Sequence, residues 1–97
     1  MTAADPNETA PRARLPFGAM AVSAYILIQT EVGKSGDVAR GVAAIEGVIS
    51  ADDVTGPYDV IVRAEADSLD DLGRQVVSRV QLVDGITRTL TCPIIHV

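Results

Sequence analysis

The sequence holds a single cysteine, a single histidine and no tryptophan, and aromatic residues make up only 3% of it. With Cys92 alone, no disulfide can close within the chain, and a reducing cytoplasmic compartment is the simplest reading. With His96 as the only imidazole and no cluster of thiols, no zinc or haem spacing is present, and the chain calls for no cofactor. No apolar run approaches the ~20 residues of a membrane span, and no basic stretch leads into an apolar one as in a signal peptide, so no membrane association is expected. Positive charge is also scarce. The formal net charge is −5, and from residue 22 onward the lysines and arginines are scattered among nearly twice as many acids. Without a basic stripe, direct contact with nucleic acid is not expected. Nucleophile-elbow and phosphate-loop motifs are missing too. Gly33-Lys34-Ser35-Gly36 ends like a phosphate loop, but Ile28 stands where that motif needs its first glycine.

What is present falls into a tail and one small domain. Residues 1–21 carry three of the five prolines and no apolar periodicity, which reads as a flexible tail. Residues 22–97 are patterned. Val22, Ala24, Ile26 and Ile28 alternate with Ser23, Tyr25, Leu27 and Gln29, the period of a strand apolar on both faces and therefore central in its sheet. Val38, Val42 and Ile45 then fall at helical spacing, with Ser35 as N-cap and Gly47 as the stop. Gly36 and Gly41 each cost the helix about 1 kcal/mol against alanine, so either packing compensates or the helix makes a close contact at Gly41. A short strand, VISADDVT, carries Asp52 and Asp53, charges suited to a sheet edge. YDVIVRAEA follows as a third strand with Val60, Val62 and Ala64 on one face. In SLDDLGRQVVSRVQLVDG, Leu69, Leu72, Val76, Val80 and Val83 define a second helix, capped by Ser68 and stopped by Gly85. ITRTLTCPIIHV closes the chain as a strand with Leu90, Cys92 and Ile94 opposite Thr87, Thr89 and Thr91. Pro93 marks it as an edge.

The order βαββαβ predicts an α+β, ferredoxin-like fold: an antiparallel four-stranded sheet with the first and third strands central. A weak internal echo agrees, Ile45-Glu46-Gly47-Val48 closing the first helix as Val83-Asp84-Gly85-Ile86 closes the second. Both helices pack on one face. The other, expected to carry Tyr25, Leu27, Ile61 and the threonines, needs a partner, which predicts sheet-to-sheet pairing into a dimeric α/β barrel. Domains of this size bury little surface alone, so the dimer also enlarges a thin core.

Few side chains in this pattern can carry chemistry. Cys92 reads as a small buried hydrophobe, His96 as a terminal residue, and Asp52, Asp53, Asp70 and Asp71 as edge or helix-start charges. The threonine row is either a β-propensity ladder or a set of hydroxyls facing a polar ligand. Thr55-Gly56-Pro57-Tyr58-Asp59 has two readings as well. As a turn, Gly56 takes an unusual backbone angle, Pro57 fixes φ and Asp59 bonds local backbone. As a site, it offers backbone N–H groups to a carboxylate, the Asp59 carboxylate to an ammonium and the Tyr58 phenol for packing or hydrogen bonding, a set complementary to an amino-acid zwitterion.

AYILIQTEVG, AIEGVISADDVTGPYDVIVRAEADSLDDL and LVDGITRTLT together resemble the effector-binding (regulation of amino-acid metabolism) domain of Lrp/AsnC transcriptional regulators, over about residues 23–97. That resemblance implies a non-enzymatic domain that forms dimers, assembles further into tetramers or octamer rings, and holds an amino-acid effector between dimers. It carries a ligand-binding role to Gly56, Tyr58 and Asp59, and also to Thr55, Pro57, Thr89 and Thr91. The departure is Pro57, which has no N–H to offer a ligand carboxylate. No helix-turn-helix precedes the match, so the sequence looks like a stand-alone effector domain that senses amino acids or modulates full-length relatives by mixed assembly. The alternatives are a ligand-free assembly partner and a small barrel enzyme such as a monooxygenase or isomerase.

Overall fold

The computed structural model describes residues 21–95. The tail expected over residues 1–21, save Ala21, and His96 lie outside the described residues.

Strand β1, Val22–Thr30, alternates as its residue pattern requires: Ala24, Ile26 and Ile28 are fully buried while Tyr25 stays exposed on the opposite face. Helix α1, Ser35–Ala43, buries Val38 and Val42. Ser35 is its first helical residue and not its cap. Lys34 takes that place without a side-chain bond, because a turn closed by Lys34 N–H to Glu31 O (3.0 Å) starts the helix one residue early. Of the two readings of Gly41, the structure has the close contact: a Cβ on it would lie 3.2 Å from Val83 Cγ1. Strand β2, Val48–Asp53, and strand β3, Val60–Ala66, follow. The second helix, α2, spans residues 69–80 in three consecutive pieces, Leu69–Asp71, Leu72–Val77 and Ser78–Val80, and strand β4 is Ile86–Pro93.

The sheet order is β2-β3-β1-β4, with β1 antiparallel to both β3 and β4. Central β1 and β3 and edge β2 and β4 are the arrangement the sequence pattern predicts. One apolar layer fills the space between sheet and helices: Ala24, Ile26 and Ile28 of β1, Val60, Val62 and Ala64 of β3, Val38 and Val42 of α1, and Leu72, Val76 and Val80 of α2.

Helix α2 differs from expectation. Its middle piece is π-helical, with the Ser78 N–H reaching back to Gly73 O. In this wider coil, residues four apart, Leu72, Val76 and Val80, stay on the core, and Leu69 drops off it to 59% exposure. The Ser68 cap is as predicted, its Oγ accepting from Asp71 N–H at 3.0 Å. Ser68→Ala should therefore cost about 1 kcal/mol in chemical denaturation.

The threonines also differ. Ile26 pairs with Thr91 and Ile28 with Thr89, and directly opposed residues share a face. Thr89 and Thr91 therefore stand on the helix side of β4. Leu90 opposes Leu27, and Cys92 opposes Tyr25, so the row on the open face is Leu90 and Cys92, and Cys92 is half-buried there and not a core residue. Reading β4 from its own sequence could not assign the face, because both of its rows are of middling polarity. The open face also carries Ile61 and Arg63, whose guanidinium lies 5.6 Å from the Tyr25 ring centroid and donates to the Tyr25 hydroxyl at 3.2 Å.

Candidate functional site

The β2–β3 hairpin, residues 54–59, hangs at the C-terminal end of β1. Val54 N–H bonds Asp59 O at 2.9 Å across its mouth. Gly56 holds φ at +134°, a backbone angle that other residues rarely adopt, and nothing lies within 4 Å of where its Cβ would be. The turn thus needs glycine for its backbone and not for packing. Thr55, Gly56 and Pro57 are exposed, and Tyr58 and Asp59 are half-buried.

Four further bonds tie this corner to the end of β1. Asp59 N–H donates to Ile28 O at 2.8 Å. Asp59 Oδ2 accepts from Thr30 N–H at 2.8 Å and from Thr30 Oγ1 at 3.4 Å. The Gln29 side-chain amide donates to Pro57 O at 3.0 Å. The sequence reading of Asp59 as a bond to nearby backbone was correct in kind, but the partner lies 29 positions away and not within the turn. Gln29 and Thr30 were missed as members of the corner. The only signal they give in sequence is a polar pair ending an apolar strand, which resembles any fraying strand end.

The same end of β1 collects a third segment. Glu31 N–H donates to Gly85 O at 2.8 Å, so the turn leaving α2 is fastened one residue past the hairpin's anchor. Thr89 pairs with Ile28, which also pairs with Val60 on the other side. Thr89 thus sits at the hairpin's end of the sheet, two strands or about 10 Å across from Val60. Thr91, opposite Ile26, lies further along β4 toward the middle of the sheet. Within one chain the structure brings Thr55 to Asp59 together, places Thr89 at the same end and leaves Thr91 apart. Among the described residues, no group of histidine, cysteine or acidic side chains is placed to hold a metal ion.

With this geometry the comparisons with known proteins agree. The sequence profile of the Lrp/AsnC ligand binding domain matches residues 23–97. The chain belongs to that family. A hypothetical protein from Pyrococcus horikoshii is similar at 35% identity, over 77% of this chain and 90% of its own, with a TM-score of 0.70. E. coli AsnC shares the fold at 19% identity and a TM-score of 0.75, over 92% of this chain and 58% of its own. A transcriptional regulator from Neisseria meningitidis, solved as a complex with L-methionine, shares it at 18% identity and a TM-score of 0.70, over 84% of this chain and 55% of its own. The chain therefore spans little more than half of these two regulators. Among curated proteins no match was found. As an Lrp/AsnC ligand-binding domain, the chain is a regulatory, ligand-sensing module in its coarse function. No helix among the described residues is long and apolar enough to cross a membrane.

Proposed function

We propose that this Lrp/AsnC domain binds a free amino acid at the Thr55–Asp59 corner and reports it through its assembly. The observation that carries this reading is the state of the Asp59 carboxylate: both bonds it accepts from β1 end on Oδ2, which leaves Oδ1 to receive a ligand ammonium. The exposed backbone at Thr55 and Gly56 supplies N–H donors for the ligand carboxylate, while Pro57 supplies none. Tyr58 and the Thr89 hydroxyl add polar contacts from the same end of the sheet, and Thr91 serves only if a second subunit completes the pocket. The L-methionine held by the Neisseria regulator supports the ligand class.

A second copy is the proposed cover for the open face, where Tyr25 and Leu90 are each about two-fifths exposed beside Leu27 and Ile61. Sheet-to-sheet pairing would give the dimeric α/β barrel, with tetramers or octamer rings placing hairpins between dimers and full-length relatives able to join by mixed assembly. The catalytic alternative gains no support, because the space between sheet and helices is filled with Ala, Val, Ile and Leu.

The ligand-free alternative has one observation in its favour: the hairpin is anchored by its own bonds and needs no ligand to hold its shape. The two readings separate on a panel of all twenty amino acids, scored by melting temperature and by native mass. At a hundredfold excess over its dissociation constant, a bound amino acid raises stability by about 2.7 kcal/mol, and the melting point of a domain this small should climb by roughly 10 °C or more. A panel flat in both melting point and mass would sink the amino-acid reading.

A further inference from the structure

A second charged side chain stands at the hairpin's end of the sheet. Gln29 of β1, which alternates with the buried Ile28, pairs with Arg88 of β4, and directly opposed residues share a face, so Arg88 lies on the open face. Ile28 pairs with Val60. One step outward, Asp59, Gln29 and Arg88 therefore form a row across β3, β1 and β4, with opposite charges at its two ends about 10 Å apart between Cα atoms. Arg88 is exposed. The ion pairs among the described residues join Arg40 and Arg74 to acids of their own helices, and Arg63 is held by the Tyr25 hydroxyl, so Arg88 has no acid as partner. Arg79, which also has none, lines a groove of about 630 Å³ at the far end of β2 and β3.

We propose that Arg88 is the specificity-determining residue of the corner and selects an amino acid with an acidic side chain, glutamate or aspartate. This rests on the amino-acid reading of Thr55–Asp59. The order of groups across the sheet carries the assignment. Strand order is β2-β3-β1-β4 and the hairpin joins β2 to β3, so the loop tip and Arg88 lie on opposite sides of Asp59. A ligand with its carboxylate on the tip N–H groups and its ammonium on Asp59 extends its side chain along the row toward β4. At that end stands a long, uncommitted guanidinium, whose planar fork matches a carboxylate with two parallel bonds of about 2.8 Å. A neutral side chain has no charge to offer it. The formal net charge of −5 makes a cation at this place the exception on the surface, and it suits an anionic group that the rest of the chain repels.

The test uses the full chain, titrated calorimetrically with L-glutamate, L-aspartate, L-glutamine and L-asparagine, with native mass measured alongside. The parent should bind one of the acids about tenfold or more tighter than its amide, the scale of one hydrogen bond to a charged group. Arg88→Ala should erase that difference, leave affinity for the amide within twofold and keep the native mass. Arg88→Gln, which keeps most of the side-chain length without the charge, should do the same and decides the matter if the alanine variant does not fold. An acid preference that survives in the variants overturns the proposal. So does a neutral amino acid bound tightest and lost in Asp59→Asn, an outcome that removes Arg88 from the pocket and leaves the corner as the site. Native mass lost in the Arg88 variants overturns it as well, because the guanidinium would then belong to a subunit contact. A parent that binds no amino acid overturns this inference and the reading of the corner together.

Discussion

Gly47→Ala is expected to cost the fold about 3 kcal/mol, a large share of the stability of so small a domain. Gly47 ends the turn after α1 with φ at +97°, where an L side chain loses roughly 1–2 kcal/mol. A Cβ there would also stand 2.8 Å from Val76 Cγ2 and 3.1 Å from the Glu65 carbonyl oxygen. The valine methyl can shift only within the packed core, and the carbonyl belongs to β3, whose Glu65 N–H bonds Gly47 O at 2.8 Å, so overpacking adds a further ~1–3 kcal/mol. A drop in melting temperature of roughly 12–24 °C follows for a domain of this length. Gly56→Ala is the internal control. It has the backbone strain without neighbours, so it should cost only about 1–2 kcal/mol. If the two variants melted together, the steric account of Gly47 would be wrong.

Asp59 separates the structural and ligand roles of the hairpin. Asp59→Ala removes the acceptor for Thr30 N–H and should lower stability by about 1–3 kcal/mol, the cost of leaving a half-buried donor unpaired. Asp59→Asn keeps an oxygen for that N–H and should stay within about 1 kcal/mol of the parent in a denaturant titration. The same asparagine has no charge for an ammonium. If the corner binds an amino acid, Asp59→Asn should weaken it at least tenfold, the equivalent of about 1.4 kcal/mol, read by calorimetry with whichever amino acid stabilises the parent. Binding unchanged in Asp59→Asn would place the ammonium elsewhere, and the hairpin would then be an anchored turn alone.

Much of the architecture was legible in residue order because local signals agreed. Period-two alternation in β1 and β3, paired glycine stops at Gly47 and Gly85, and charge or proline on the two edge strands all pointed to one sheet order. What was not legible depended on information that a single segment does not hold. The face of Thr89 and Thr91 is set by the register with β1, and β4 has no strongly apolar row to announce it. The π-helical stretch preserves apolar spacing of four, so Leu72, Val76 and Val80 read as an ordinary helix face, and only the exposure of Leu69 betrays the wider coil. At the hairpin, the residue types were visible but the anchoring was not, because Gln29 and Thr30 meet Pro57 and Asp59 only after the sheet has formed.

The way this corner is anchored separates what can vary from what cannot. Gln29 grips position 57 through its carbonyl oxygen, which every amino acid possesses, and Asp59 is held through a backbone amide of β1. The side chains at 55 and 57 are therefore free to change without loosening the frame. A proline exchanged for a residue with an N–H would add a donor at the loop tip and leave the Gln29 bond in place. If an amino acid binds at this corner as proposed, its preference can drift by substitutions at the loop tip while the sheet stays the same.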